Sequence, residues 1–203
     1  MHTKEELYSN KIFFNAALPL VKVIANDVPS LKKQFAKVHA IIQVTADDPD
    51  AEGGKVGMHY VVNGDEWLVH LNKVDPNPHV ELEFKSVEAM NAFFKGKISP
   101  ATLPKMHGVL KNFGAFKAFL MTLLKMSSLL SATEPPKDDE TKELMVKCFF
   151  YLLSSGISQL NKMGHEDIHD WTSKSPDRVY AWAVNGYPQV SAYLRIKAGK
   201  SRA

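Results

Sequence analysis

The sequence predicts an α+β domain: a sheet of short strands with helices packed on one of its faces. Three observations point there. Val80-Glu81-Leu82-Glu83-Phe84 alternates apolar and acidic residues at period two, as a strand with one buried face does. Asn63-Gly64 sits between two alternating runs and reads as a hairpin turn. Phe116, Phe119, Leu120, Leu123 and Leu124 then recur at helical spacing.

The elements follow in chain order. Residues 7 to 25 carry Phe13, Phe14, Leu18, Leu20, Val21 and Ile24 and read as one or two helices interrupted near Pro19. Pro29-Ser30 starts a short amphipathic helix that turns Leu31, Phe35 and Val38 inward. Ala40 to Thr45 alternates and places Ile42 and Val44 on one face of a strand. With Asn63-Gly64 as the two turn residues, Val62 pairs with Asp65, Tyr60 with Trp67, Met58 with Val69 and Val56 with Leu71. That register gathers the large apolar side chains on one side. Gly57, His59, Leu68 and His70 fall on the other, which is the pattern of a sheet covered on a single face.

After the strand at Val80–Phe84, Ser86 is placed to cap a helix carrying Val87, Met90 and Phe94 on one face, with Phe93 beside them and Gly96 as its stop. A Pro-marked turn leads into a short strand within Met106 to Gly114, and the second Phe/Leu/Met-rich helix follows. Thr133 to Glu140 is a polar, Pro-containing linker. Beyond it, Leu144, Phe149, Leu152 and Leu153 mark a helix, and Asn185-Gly186 marks a second hairpin. Tyr60-Val61-Val62-Asn63-Gly64 and Trp182-Ala183-Val184-Asn185-Gly186 match in pattern; a short duplication and two independent hairpins both explain this.

The wording from Glu81-Leu82-Glu83-Phe84-Lys85-Ser86 through Gly96-Lys97 to Gly108 and Gly114, with this order of elements, resembles the SCP2 sterol-carrier family over residues 28 to 130. The resemblance implies a mostly antiparallel five-stranded sheet, helices on one face, and an apolar tunnel between them that holds a lipid. It brings no catalytic residues with it. The side chains expected to line the tunnel are Phe84, Met90, Phe94, Phe113, Phe116, Phe119, Leu120 and Leu123. Methionine suits such a wall because its flexible thioether adapts to ligands of varied shape. The implied organisation is a helical segment at 1–27, the lipid-binding domain at 28–132, a linker at 133–140, and a helix-plus-hairpin extension at 141–203.

Composition sets the outer bounds. The chain of 203 residues is 45% apolar and 23% charged, ordinary for a globular protein, and its net charge of +3 without an arginine-rich run argues against nucleic acid. Cys148, the lone cysteine, reads as a small buried hydrophobe, so no intramolecular disulfide is expected. Acidic residues precede the first apolar run and no secretory signal is evident, which predicts a cytoplasmic protein.

Chemistry-bearing motifs are few. His165-Glu166-Asp167-Ile168-His169 fits the H-E-x-x-H of zinc hydrolases, yet no glutamate follows Glu166 and no histidine follows His169 to complete the ligand set. No metal, cofactor or catalytic residue is therefore expected. Gly53-Gly54 after Asp47-Asp48-Pro49-Asp50 lacks calcium-loop spacing, and no nucleophile elbow occurs. His107, beside the expected ligand mouth, is the titratable group nearest to it. The aromatic face of the second hairpin (Tyr180, Trp182, Tyr187, Tyr193) beside Arg195 and Lys197 suits peripheral contact with an anionic membrane, or packing against the main domain or a second subunit. The expected function is non-catalytic binding or transfer of a lipid or fatty-acid-like ligand. A substrate-presenting subunit of a lipid-metabolising enzyme and a protein-interaction module are the alternatives. Oligomeric state is not readable from these patterns.

Overall fold

The computed structural model describes residues 14, 17–94, 97–131, 136–145, 147 and 148. Two short helices come first, α1 (Leu20–Asp27) and α2 (Pro29–Phe35). Their junction has a local cause. Pro29 pushes the preceding Val28 into extended backbone, φ −92° and ψ 110°, so one helix ends and the next begins with proline in its first turn. Leu20, Val21, Ile24 and Ala25 of α1 and Leu31 and Phe35 of α2 are buried.

The chain then forms β1 (His39–Asp47), a single 3₁₀ turn (Glu52–Gly54), β2 (Lys55–Asn63), β3 (Glu66–His70), β4 (Val80–Phe84), α3 (Val87–Phe94), β5 (Lys105–His107) and α4 (Phe113–Ser131). The sheet has five strands in the order β3-β2-β1-β4-β5. Three neighbouring pairs are antiparallel and one, β1 with β4, is parallel, so the sheet is mixed.

The parallel pair shapes the rest. Its strands lie side by side in the sheet, so the chain must cross from the β3 edge to the far side of β1. Residues 71–79 make that crossing over one sheet face. The Lys73 carbonyl accepts from His59 Nδ1 of β2 at 3.0 Å, the Asp75 backbone meets Gln43 of β1, and His79 bonds the Ile41 backbone before β4 begins. Helices cover the other face. It carries Ala40, Ile42, Val44 and Ala46 of β1, Met58, Tyr60 and Val62 of β2, Trp67 of β3, and Val80, Leu82 and Phe84 of β4, all buried. Against them α4 sets Ala115, Ala118, Phe119, Leu123, Met126 and Leu129. Burying a side chain of Leu or Phe size contributes roughly 1.5–3 kcal/mol, so this single stripe fixes the helix on the sheet. Met145 and Cys148, from the helical residues after Asp138, belong to the same core.

The hairpin differs from its sequence reading by two residues. Asn63 pairs with Glu66, Val62 with Trp67, Tyr60 with Val69 and His59 with His70. The turn is therefore Gly64-Asp65, with Gly64 at φ 62°; only Gly64 of the two is left-handed, which excludes the type I′ geometry expected at Asn63-Gly64. The cause lies across the other ladder. Asn63 pairs with His39 and its side chain bonds the His39 ring, while Gly64 N donates to Val38 O at 2.9 Å. β1 thus holds β2 extended through Asn63 and displaces the turn. An even shift preserves every facing, so the apolar and mixed faces remain as expected.

β5 also differs. It spans Lys105–His107 rather than residues within 106 to 114. Gly108, at φ 72°, ends it, and Asn112 closes the following turn by donating from N to Gly108 O at 3.1 Å and from Nδ2 to His79 O at 2.8 Å. A Cβ at Gly108 would lie 2.0 Å from His79 O. Gly108→Ala should therefore cost more than about 2 kcal/mol, combining the left-handed penalty with the backbone clash. Gly114→Ala, inside α4 with nothing within 4 Å, should be neutral or stabilise by up to about 1 kcal/mol. Urea denaturation of both variants checks the contrast; equal midpoints would contradict this account of the turn.

Candidate functional site

The layer between sheet and helices receives most of the expected ligand-lining side chains. Ser86 Oγ accepts from Ala89 N at 3.1 Å and starts α3, which swings Met90 and Phe94 over β4. Phe84, Met90, Phe119 and Leu123 are buried, and Phe94 nearly so at 9% exposure. Phe116 and Leu120 are half-buried at the margin of the layer. Phe113 does not join them: it stands on the outer side of α4 at 60% exposure. Gly96, the expected stop of α3, lies outside the described residues.

Two aromatic groups result. Phe84, Phe93 and Phe94 meet under α3 with ring centroids 5.4–5.7 Å apart. Toward the β3 side, Trp67 meets Phe35 edge-on at 4.6 Å and Tyr60 at 5.7 Å, and Tyr60 meets Phe119 at 5.7 Å. The Tyr60 hydroxyl donates to Leu18 O, so its polar tip is satisfied. The indole nitrogen of Trp67 is not. Trp67 is 4% exposed and its Nε1–H has no acceptor among the described residues. Sequence reading placed Trp67 and Tyr60 together on the apolar face but gave no sign of this unpaired donor, which depends on the packing of Phe35 from another element.

The opposite face holds the titratable groups. Under the crossing segment, Gln43 is 1% exposed; its Oε1 accepts from Asp75 N at 2.6 Å and its Nε2 donates to Glu81 Oε1 at 3.1 Å. Thr45 Oγ1 donates to the same oxygen at 2.7 Å. His59 and His70 are direct cross-strand partners with rings stacked 4.6 Å apart, and His59 is buried. At the rim, Glu83 bonds the Lys55 ammonium and accepts from His107 Nε2 at 2.8 Å. The hydrogen bond from Lys55, then that from His107, hold the Glu83 carboxyl down at about 2. The same contact raises the Lys55 ammonium above its ordinary value. His107 thus engages a carboxylate on the polar face and is not directed into the aromatic layer.

Elsewhere, burial pushes the Cys148 thiol up to about 12, which keeps it neutral and unreactive at ordinary pH. An open groove of about 520 Å³ between the end of α1, α4 and the last helical residues is rimmed by Asp27, Lys125, Glu140, Glu143 and Lys147, a mixed-charge lining unsuited to an apolar chain. Among the described residues, no three of His, Cys, Asp and Glu are grouped to hold a metal, and no helix is long and apolar enough to cross a membrane. The His165–His169 motif and the Asn185-Gly186 hairpin lie outside the described residues.

No protein-family profile and no curated protein matches the chain. Among solved structures, it is similar to the crystal structure of sterol carrier protein 2, with TM-score 0.42 and 11% identity, over 57% of this chain and 95% of that one. It is also similar to the solution structure of a conserved hypothetical protein from Thermus thermophilus, a candidate sterol carrier protein, with TM-score 0.37 and 10% identity, over 54% of this chain and 84% of that one.

The depressed Glu83 carboxyl has a signed consequence for stability. A carboxyl whose folded pKa lies below its unfolded one stabilises the fold above the unfolded value, and that contribution is lost as pH falls toward the folded value. The side chains of Lys55 and His107 are 41% and 51% exposed, so solvent screening leaves only about 1 kcal/mol. From about pH 5 down to about pH 2, wild type should therefore lose about 1 kcal/mol more than Glu83→Gln. Parallel pH profiles of the two would contradict the assignment.

Proposed function

We propose that the protein binds an apolar lipid, such as a fatty acyl chain, a phospholipid or a sterol-like molecule, in the layer between its sheet and its helices, and carries it without chemical change. The observation that carries this reading is the unpaired indole N–H of Trp67 inside a wall of Phe35, Tyr60 and Phe119. A buried donor without an acceptor costs about 1–3 kcal/mol. A carboxylate, hydroxyl or ester oxygen of an amphipathic lipid would relieve that cost, and the aromatic and aliphatic side chains around it would take the hydrocarbon. Each methylene moved out of water contributes about 0.8 kcal/mol, so an acyl chain needs only one polar handle to bind in a defined orientation.

Binding rather than catalysis is favoured by where the reactive groups sit. Glu83 is engaged by the Lys55 ammonium and by a hydrogen bond from His107 on the far face of the sheet, and the Cys148 thiol is held protonated. Glu83, Lys55 and His107 lie on the opposite sheet face from the aromatic layer proposed to hold the ligand.

Trp67→Phe retains a ring and deletes the donor. Stability should change little, because the smaller ring loses packing while an unpaired group disappears. Affinity for palmitate should fall about tenfold to a hundredfold, the loss of one hydrogen bond to a charged group. Phe119→Trp should reduce palmitate binding more than it lowers the thermal midpoint, since the added volume occupies ligand space. Displacement of a fluorescent fatty acid measures both. Unchanged affinity in both variants, or absence of fatty-acid binding by the wild type, would overturn the proposal.

A further inference from the structure

The described residues leave nine large apolar side chains exposed, and seven of them fall between residues 98 and 124: Ile98, Leu103, Met106, Leu110, Phe113, Met121 and Leu124. Exposed apolar residues on a monomer are normally scattered, so clustering on one stretch of chain asks for an explanation. The charges of that stretch are equally uneven. From residue 89 to residue 133 the chain contains no Asp or Glu, while it contains six lysines. Lys97, Lys111 and Lys117 are exposed beside the apolar tips. Lys105 counts for less, because it pairs in register with Glu83 on the polar face.

The presentation is rigid. Leu110, 97% exposed, sits on the turn that Gly108 and Asn112 lock against the start of β4. Phe113 opens α4 directly after it. Lys117, Met121 and Leu124 follow at spacings of four, four and three, along the stripe opposite to the buried Ala115, Phe119 and Leu123.

We infer that this surface, the α3–α4 connection and the outer stripe of α4, docks the protein on an anionic lipid bilayer. Leu103, Leu110 and Phe113 enter the boundary between head groups and acyl chains, and Lys97, Lys111 and Lys117 meet the lipid phosphates and carboxylates. Apolar tips interleaved with lysines, on a stretch of chain that contributes no carboxylate, match that environment in both polarity and charge. A second copy of the chain is a poorer occupant, because it would bring the same lysines to face these. Edge pairing through β5 is blunted as well, since the strand is three residues long and carries Lys105 and His107. The inference stands on the surface and does not depend on a ligand within the layer.

Co-sedimentation of the full chain with vesicles tests it. Vesicles of phosphatidylcholine containing about a third phosphatidylserine should bind at least about tenfold more tightly than phosphatidylcholine alone, and raising salt to about 0.5 M should abolish the difference. The Leu103→Ser/Leu110→Ser variant, whose replaced side chains are exposed, should lose most binding yet keep the wild-type thermal midpoint. Lys111→Glu/Lys117→Glu should lose the preference for anionic vesicles, and Leu68→Ser, an exposed site outside the patch, should change nothing. Equal binding to both vesicle types overturns the inference, as does anionic binding undiminished in Leu103→Ser/Leu110→Ser. A concentration-dependent dimer that these substitutions dissolve, without vesicle binding, would assign the surface to a second copy instead.

Discussion

The rest of the structure hangs on β1. It is the central strand, paired along nine residues to β2 on one side and in parallel to β4 on the other. Antiparallel neighbours can be joined by a tight turn, but a parallel neighbour cannot. The chain must cross the sheet between β3 and β4, and residues 71–79 do so by bonding to His59, Gln43 and Ile41 in passing. One face of β1 is thereby committed to polar contact with a loop. The other, with Ala40, Ile42, Val44 and Ala46, is left for helices. Single-sided coverage follows from this strand order together with the alternation of β1.

That division separates two kinds of chemistry. On the crossing side, polar side chains are matched: Gln43 and Thr45 converge on Glu81, and Glu83 is bonded by Lys55 and His107. Such a network specifies the path of the loop. On the helix side the buried side chains are mostly apolar, and among the described residues the one buried side-chain polar atom without a partner is the Trp67 indole nitrogen. An unmatched donor is expensive where no water reaches it. Its presence in the aromatic wall is what turns a packing layer into a proposed binding layer.

Local signals made part of this legible in the sequence. The β4–α3 unit was readable because alternation in Val80–Phe84 and a capping Ser86 are both short-range effects. Facing in the β2–β3 hairpin was readable too, whereas its turn was not: the pairing of Asn63 with His39, 24 residues away, moved it one position along. The parallel pairing of β1 with β4 has no local signature, and neither does the end of β5, set by the approach of Gly108 to His79. Among the expected site residues, helical periodicity correctly turned Phe119 and Leu123 inward. It could not tell that Phe113 begins α4 on the outer side, since that depends on where the preceding turn releases the chain.

The proposed lipid chain lies between sheet and helices, near Trp67 and beneath α3 and α4. Intermolecular nuclear Overhauser effects from protonated palmitate to methyl-labelled, otherwise deuterated protein locate the ligand directly. Contacts to the buried methyl groups of Met90, Leu82 and Leu123 are the predicted result. Contacts confined to the exposed Leu103 and Leu110, or none at all with palmitate in excess, would contradict it.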